Sequence, residues 1–257
     1  SFEGDVLILS GDVPLINRQL VEQFAYSHAE QENDITAMTA FVEDPTGLGR
    51  IIRDKNDDFQ AIVEHKDATE EQRKINEING GLYIVKSPKL FELLKQVGNN
   101  NASREYYLPD IITLALEQGL TIGTFTAPDA ETLGGVNTKL QLAYSEDYYQ
   151  NIKREDFLVA GVSMQDPQSV FFSYDTKIGK DVFIGPFTRF GENTTIESNV
   201  NIEGNCYIEN SYINEKANIL SFCHLSGAVV GANADIGPFC RLRPEANLGA
   251  NSKAGSF

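Results

Sequence analysis

Apolar side chains recur at intervals of six residues through the C-terminal part of the chain, whereas an α-helix repeats about every 3.6 residues and a β-strand about every two. The anchors of this repeat are Ile178, Ile184, Phe190, Ile196, Ile202, Ile208, Ile213, Ile219, Leu225, Val230, Ile236, Leu242 and Leu248. Only the steps to Ile213 and Val230 are five residues long. A hexapeptide period is typical of a parallel β-helix, in which three short faces, roughly 18 residues, make one coil. The pattern therefore predicts stacked coils over residues 178–250, with the anchors in the interior.

The three cysteines follow the same repeat. Cys206, Cys223 and Cys240 are each separated by 17 residues, which is one coil shortened by a five-residue step. This spacing predicts that they stack at one corner as small buried side chains. A zinc site is disfavoured, because its ligands are usually closely paired and the only nearby histidine is His224.

The first half of the chain alternates apolar runs typical of strands with stretches of helical spacing. Strands are predicted at 5–10, 34–42, 59–65 and 121–127, and helices at 17–31, 87–97 and 107–119. The first run, DVLILS, is apolar almost throughout and suits a central parallel strand. We therefore predict a Rossmann-like α/β domain that binds ligands at the carboxyl ends of its strands.

Five polar or glycine positions at the ends of these elements are candidates for binding. Asp12 follows the first strand, where a carboxylate could hold a divalent cation, and Gly47 belongs to a GLG turn whose backbone could approach a ligand. Glu64 ends a strand, Asn79 precedes a glycine pair, and Asn137 is a candidate N-cap for the helix that follows it. Each of these residues, considered singly, is ambiguous between a ligand contact and an ordinary turn or cap, and for Asp12 alone the ordinary turn is the favoured reading.

Composition narrows the class of protein. A chain of 257 residues commonly forms two domains, and the formal charge of −16 disfavours broad binding to nucleic acid or to anionic lipid. No apolar run approaches the roughly 20 residues needed for membrane insertion, and no targeting segment is visible, so we expect a cytoplasmic protein. The sequence does not begin with Met, which suggests a piece of a longer protein. No glycine-rich phosphate loop flanks the first strand, so a phosphorylated substrate needs local donors or a cation.

Six stretches, taken in order, resemble a known family. They are GDVPLI, DPTGLGRI, IVEHKDATEEQRKINEINGGLYI, EYYLPDII, GVNTKLQL and IGPFCRLRPEANLG. Together they resemble the bacterial bifunctional N-acetylglucosamine-1-phosphate uridyltransferase/glucosamine-1-phosphate N-acetyltransferase family. The resemblance implies part of a uridyltransferase domain over 1–139, a linker helix over 140–160, and the first coils of a left-handed β-helix acetyltransferase domain over 161–257.

The resemblance also implies roles for the candidate residues. Asp12 and Asn137 correspond to the pair that coordinates Mg²⁺, and Gly47, Glu64 and Asn79 to contacts with the N-acetylglucosamine group, while Asn137 also counts among the substrate-binding positions. Arg243, within RLRP, corresponds to an arginine that binds the phosphate of glucosamine 1-phosphate at the acetyltransferase site. The family departs from this chain at Ser10, where it has tyrosine, and at Gly80, where threonine is more common.

The implied activity of the parent protein is acetyl transfer from acetyl-CoA to glucosamine 1-phosphate, followed by Mg²⁺-dependent uridyl transfer. The second step joins UTP to N-acetylglucosamine 1-phosphate, gives UDP-N-acetylglucosamine and releases pyrophosphate. The family assembles as a homotrimer through the β-helix. Its GTRM loop and catalytic lysine correspond to positions before residue 1, and its histidine base to a position after residue 257. We therefore expect the catalytic residues to lie outside the chain and the chain alone to be inactive.

Two other functions fit the same pattern. One is a non-catalytic assembly module that pairs a nucleotidyltransferase-like domain with a hexapeptide helix, and such a module does not need Asp12 together with Asn137. The other is a pyrophosphorylase for a different sugar 1-phosphate. The EHKDA and RLRP stretches argue against the second function only through the resemblance.

Overall fold

The computed structural model describes residues 3–101 and 104–255. The chain divides into two compact units, Ser1–Ser145 and Glu146–Phe257. The elements of the first unit are β1 (Asp5–Ile8), α1 (Arg18–Glu30), β2 (Ile35–Phe41), β3 (Arg50–Arg53), β4 (Phe59–Val63), α2 (Glu70–Arg73), β5 (Glu77–Lys86), α3 (Ser87–Leu94), α4 (Asp110–Glu117), β6 (Ile122–Thr126), a 3-10 turn (Ala130–Leu133) and the start of α5 (Lys139–Val159). The strands and helices predicted in this half are all present, mostly with shorter bounds.

One mixed sheet organises the first unit. Its strand order is β4-β3-β5-β2-β6, with β1 paired to β5 as well. Helices α3 and α4 cover one core, where Leu93, Ile111 and Ile112 pack with Ile35 and Val85. A second core gathers Leu20 and Phe24 of α1 with strand residues such as Met38 and Leu82. The predicted α/β class is therefore confirmed for this unit.

The prediction of a central parallel strand for the first apolar run is wrong. Strand β1 runs antiparallel to β5, and β5 is its only partner within residues 3–101 and 104–255. Its residues alternate between exposed and half-buried, and Leu7 keeps 38% of its surface exposed. A continuous apolar run indicates a strand, but the direction of that strand depends on its neighbour, which the run does not specify.

Strand β5 is central to the sheet and was not predicted from the sequence. It is ten residues long and pairs with β1, β2 and β3. Its sequence, EINGGLYIVK, contains a glycine pair, which usually marks a turn. In the structure the pair forms an irregularity within the strand, because Ala37 pairs with Tyr83 while Thr39 pairs with Asn79. One residue of β2 thus lies opposite three residues of β5, which is a β-bulge.

The second unit is a parallel β-solenoid of about five coils. Its strands are β7 (Ser163–Met164), β8 (Lys177–Ile178), β9 (Phe183–Ile184), β10 (Arg189–Phe190), β11 (Thr195–Ile196), β12 (Asn201–Ile202), β13 (Tyr207–Glu209), β14 (Tyr212–Ile213), β15 (Asn218–Ile219), β16 (His224–Ser226), β17 (Val229–Val230), β18 (Asp235–Ile236), β19 (Arg241–Leu242), β20 (Asn247–Leu248) and β21 (Lys253–Ala254). They form three parallel sheets, one for each face of the coil. The fold predicted from the hexapeptide period is confirmed.

The interior of the solenoid contains the predicted anchors in register. Ile196 pairs with both Ile178 and Ile213, and nearly all anchors are fully buried. Cys206 and Cys223 are buried, Cys240 is half-buried, and all three are free thiols. At the corners between strands, the chain repeatedly adopts positive φ, often at asparagine but also at Phe187, Phe222 and Phe239.

The C-terminal half of α5 closes the first coil of the solenoid. Gln150 donates from Nε2 to the carbonyl oxygen of Phe172 at 2.8 Å and accepts from the Phe172 N–H at 2.8 Å. The buried Arg154 donates to the carbonyl oxygen of Val170 at 3.1 Å and to Gln168 Oε1 at 3.0 Å. These bonds satisfy backbone groups that would otherwise lack a neighbouring strand. Across the described ranges, no helix combines the length and apolarity that a bilayer crossing requires.

Candidate active site

Asp12 lies in the turn four residues beyond the end of β1, with its side chain exposed. Its backbone carbonyl oxygen accepts the Val136 N–H at 2.8 Å, a bond that ties the Asp12 turn to the segment before α5. Because this bond joins residues near the two ends of the sequence of the first unit, it holds two turns together that are far apart along the chain. The carboxylate of Asp12 remains directed to solvent.

Asn137 belongs to that same segment, but it does not cap α5 as predicted. Thr138 takes this place, because Thr138 Oγ1 accepts the Gln141 N–H at 3.2 Å and its carbonyl oxygen accepts the Leu142 N–H at 3.0 Å. The Gln141 side chain in turn accepts the backbone N–H of Asn137 at 2.9 Å. The side-chain amide of Asn137 is exposed and is not used to start the helix.

The Asp12 and Asn137 side chains both come close to the position that a Cβ atom of Gly135 would occupy. A Cβ atom on Gly135 would lie 3.3 Å from Asp12 Oδ2 and 3.8 Å from Asn137 Nδ2. Mg²⁺ takes oxygen ligands and keeps several waters or substrate phosphates, so Asp12 could ligate it directly, whereas Asn137 could do so only with its amide turned to present Oδ1 in place of Nδ2. No group of three or more acidic, histidine or cysteine side chains suited to a metal occurs in the described part of the chain. A cation here would therefore depend on ligands from substrate or water.

Glu64 and Asn79 meet on either side of Gly49. A Cβ atom on Gly49 would lie 3.3 Å from Glu64 Oε1 and 3.4 Å from the Asn79 Cβ. The carbonyl oxygen of Gly49 also accepts the Asn79 N–H at 2.9 Å, which joins the GLG turn to β5. Gly47 lies two residues earlier with φ at +84°, in the exposed part of the turn. The structure thus gathers Glu64, Asn79 and the end of the glycine turn.

The orientation of the Asn79 amide is set by two donors. Asn79 Oδ1 accepts the Tyr83 hydroxyl at 2.8 Å and the Gly81 N–H at 3.1 Å. With both bonds directed at the oxygen, the Nδ2 group is left to donate to a ligand. Burial raises the pKa of Tyr83 well above its usual value, and the charge of Glu64 adds to this effect, so the hydroxyl stays protonated. Sequence reasoning missed Tyr83, although it lies within the INGGLYI stretch.

Glu64 is half-buried among other acids. Burial raises the pKa of its carboxyl group, and the nearby charges of Asp67 and Asp110 raise it further. The group is therefore more easily protonated than an ordinary surface glutamate. A hydrogen bond donated by a ligand hydroxyl stabilises the charged carboxylate and so offsets part of the free-energy cost of its burial.

Arg50 is a second residue that the sequence reasoning missed. It is fully buried and donates from Nη1 to the carbonyl oxygen of Leu48 in the glycine turn. Its Nη2 lies 3.3 Å from His65 Nδ1 and 3.3 Å from the carbonyl oxygen of Arg73. Burial, followed by the charge of Arg73, lowers the pKa of Arg50. The only sequence feature that indicates this support of the glycine turn is the position of Arg50 directly after GLG.

Arg243 belongs to the second unit and lies one residue beyond β19 with its side chain exposed. Its carbonyl oxygen accepts the Ala246 N–H at 3.1 Å, which shapes the local corner. Arg243 is the one predicted site residue that belongs to the second unit. Its role at a phosphate therefore stays a prediction.

The chain is similar to known proteins in both units. A family profile described as Nucleotidyl transferase matches residues 1–145, and one described as GMPPB C-terminal domain matches residues 167–256. A relative named Bifunctional protein GlmU from Zymomonas mobilis is 40% identical over 257 residues, which is 100% of this chain and 53% of the relative. Relatives of the same name from Psychrobacter arcticus and Exiguobacterium sp. are 44% and 39% identical, over 99% of this chain and 55% and 56% of their own lengths.

The chain therefore spans about half the length of the curated relatives it matches. The resemblance drawn from the sequence motifs is confirmed by these relatives.

Proposed function

Because the chain belongs to the nucleotidyl transferase family, we propose that its first unit binds Mg²⁺ and N-acetylglucosamine 1-phosphate for uridyl transfer from UTP. The products are UDP-N-acetylglucosamine and pyrophosphate. The observation that carries this proposal is the proximity of the Asp12 and Asn137 side chains beside Gly135. A non-catalytic assembly module does not require these two side chains to meet.

Different residues of the first unit bind the cation and the sugar in this proposal. Asp12 and Asn137 hold the cation, and Asn79 donates from Nδ2 to an acceptor on the sugar, such as the acetamido oxygen. Glu64 accepts a hydrogen bond from a sugar hydroxyl. When bound, Mg²⁺ supplies positive charge that draws phosphates to a protein whose formal charge is −16. The contribution of the protein is then mostly alignment of the sugar phosphate.

For the second unit we propose the acetyltransferase role of the bifunctional relatives. Its substrates are acetyl-CoA and glucosamine 1-phosphate, whose phosphate Arg243 binds through its guanidinium group. The solenoid also provides the surface for a homotrimer, and the protein acts in the cytoplasm. The support for these points is the parallel β-solenoid together with the similarity to proteins named Bifunctional protein GlmU.

Calorimetric titration of the chain with N-acetylglucosamine 1-phosphate in the presence of MgCl₂ tests the first proposal. We expect binding that weakens about tenfold or more in Asp12→Asn, since a contact to a charged group contributes about 1.5–3 kcal/mol. Asp58→Asn, at an exposed acid outside the site, is the matched control and should bind like the wild type. Equal binding by Asp12→Asn and wild type would refute the metal assignment.

Turnover gives a separate test of the chain itself. No glycine-rich phosphate loop occurs next to β1 in the 257 residues, so we expect no pyrophosphate release from UTP and N-acetylglucosamine 1-phosphate. Sustained release by the chain alone would contradict this expectation.

A second candidate is uridyl or other nucleotidyl transfer to a different sugar 1-phosphate. The match of residues 167–256 to the GMPPB C-terminal domain favours it, because it links this solenoid to a differently named protein. Titration with glucose 1-phosphate and mannose 1-phosphate separates the candidates. Tighter binding of either sugar than of N-acetylglucosamine 1-phosphate would favour the second candidate.

A further inference from the structure

The bulge at Gly80 and Gly81 in β5 contacts both segments that carry the proposed metal ligands. Met38 of β2 lies opposite Gly80, Gly81 and Leu82, and Gly81 has φ at +75°. The residue directly before the bulge is Asn79, whose amide orientation depends on the Gly81 N–H. The bulge therefore connects the side-chain amide of Asn79 to the residues that pack against Gly80 and Gly81.

Leu133 packs against Gly80. A Cβ atom on Gly80 would lie 2.7 Å from Leu133 Cδ1 and 3.0 Å from the carbonyl oxygen of Met38, so no side chain fits without displacement. Leu133 is buried in the same core as Met38 and Leu82, at the end of the 3-10 turn Ala130–Leu133. Asn137 follows four residues later.

Ser10 packs against Gly81 from the other segment. Its hydroxyl donates to the Gly81 carbonyl oxygen at 3.1 Å, and a Cβ atom on Gly81 would lie 2.8 Å from Ser10 Oγ. Asp12 follows Ser10 by two residues, and the Asp12 carbonyl oxygen accepts the Val136 N–H. The Ser10 and Leu133 segments thus contact adjacent residues of one bulge and are hydrogen-bonded to each other.

We propose that the Gly80–Gly81 bulge is a positioning element that sets the place of Asp12 and Asn137 relative to Asn79, and so couples cation binding to sugar-phosphate binding. This inference rests on the proposed function of the first unit. Gly80 and Leu133 touch no substrate in this account; they act through Asn79 and Asn137. Because the covalent links are only two to four residues long, a shift of Leu133 or Ser10 displaces the metal ligands directly.

Amide hydrogen exchange at Val136 tests the positioning contact without any ligand. In Gly80→Ala the new methyl group displaces Leu133, and we expect the Val136 amide to exchange about tenfold faster or more while the fold is retained. Leu133→Val removes the δ carbon that the new methyl group meets at 2.7 Å, although the Met38 carbonyl oxygen remains 3.0 Å away, so Gly80→Ala/Leu133→Val should regain part of the exchange protection that Gly80→Ala loses. Gly98→Ala, at an exposed glycine with nothing within 4 Å of a Cβ, is the matched control.

Calorimetry then tests the coupling. The ratio of dissociation constants for N-acetylglucosamine 1-phosphate without and with MgCl₂ measures it, and linkage requires the same ratio for Mg²⁺ binding. We expect this ratio to fall at least about fivefold in Gly80→Ala and to recover in part in the double variant. An unchanged ratio, or unchanged Val136 exchange, in a folded Gly80→Ala protein would overturn the inference while leaving the proposed function intact. Absence of sugar-phosphate and Mg²⁺ binding by the wild type would instead overturn the proposed function, and the coupling with it.

Discussion

The Tyr83 hydroxyl donates to Asn79 Oδ1 at 2.8 Å from four residues further along β5. This contact occupies the amide oxygen of Asn79, so that the amide nitrogen is the group that would donate to the proposed sugar phosphate, although Tyr83 itself is buried. A residue that contacts no ligand thus determines which atom of its neighbour is offered for binding.

Tyr83→Phe should weaken the binding of N-acetylglucosamine 1-phosphate about fivefold. The loss of one hydrogen bond should also lower the free energy of unfolding by about 0.5–1.5 kcal/mol. Titration calorimetry and urea denaturation measure the two effects. Tyr26→Phe, at an exposed tyrosine of α1, should change neither quantity, and unchanged affinity in Tyr83→Phe would show that the Gly81 N–H alone orients Asn79.

Glu64→Gln should stabilise the protein at neutral pH and weaken sugar-phosphate binding. Burial, with Asp67 and Asp110, raises the pKa of Glu64 above 4.5, so the folded state holds this proton more tightly than the unfolded chain does. The contribution of Glu64 to stability therefore falls as pH rises from about 4.5 through the raised pKa. The gain from the substitution should be no more than about 1 kcal/mol, because solvent screens a half-buried group.

Thermal unfolding of Glu64→Gln at pH 4 and pH 7 tests this sign. The stabilisation should be present at pH 7 and smaller at pH 4, where the wild-type carboxyl group is largely protonated. Glu43→Gln, at an exposed position, should show little change at either pH. A larger stabilising effect at pH 4 than at pH 7 would contradict the prediction.

The ion pair of Arg53 with Glu77 should contribute far more than a surface pair of equal length. Arg53 Nε and Nη2 donate to the two oxygens of Glu77 at 2.7 Å each, and Glu77 is only 5% exposed. Glu77→Ala removes the bidentate partner of the Arg53 guanidinium, which then keeps Asp57 at 3.8 Å and Thr124 Oγ1 at 3.0 Å, and it should cost about 2–3 kcal/mol. Lys74 and Glu71 also meet at 2.7 Å but are exposed, so Glu71→Ala should cost less than about 1 kcal/mol.

Urea denaturation of these variants makes the comparison. Replacing both partners, as in Arg53→Met/Glu77→Met, should cost less than Glu77→Ala alone, because no unpaired charge remains. Equal losses in Glu77→Ala and Glu71→Ala would show that the Arg53 guanidinium finds water or another acceptor.

Phe187→Asn should stabilise the solenoid. Phe187 has φ at +56° and is 66% exposed, whereas asparagine occupies several equivalent corners. The left-handed conformation costs an ordinary L-residue about 1–2 kcal/mol and asparagine less, so a gain of about 1 kcal/mol is expected. Phe183→Asn is the control, because Phe183 lies in a strand and not at a positive-φ corner, so the same substitution relieves no backbone strain there. Destabilisation by Phe187→Asn would mean that apolar contacts at this corner outweigh the backbone conformation.

The solenoid could be predicted closely because a period of six residues has one structural solution over so many repeats. Anchors such as Ile196 are buried because the coil geometry turns their side chains inward, and only Ile178 and Leu248, near the ends of the anchor series, are half-buried. The strands and helices of the α/β half were predicted less completely. Strand β5 was missed because a glycine pair usually marks the turn at the end of a strand. In β5 the pair forms a bulge within the strand instead, and a bulge can be recognised only when the partner strand is known.

The proximity of Asp12 and Asn137 could not be worked out from their spacing. It arises because the Val136 N–H reaches the Asp12 carbonyl oxygen across the sheet edge. Their pairing in the sequence analysis came from the family resemblance instead. The N-cap assignment for Asn137 failed for a related reason, since Thr138 has an equally suitable hydroxyl one residue later.

Gln150 reproduces, with one side chain, the donor and acceptor that another rung of the solenoid would offer to Phe172. A helix can therefore replace a missing rung at this end, and the stack needs no special terminal sequence of its own there. Arg154 adds bonds from the same helix to Val170 and Gln168, so grafting the stack onto another helix would require both side chains at the same spacing.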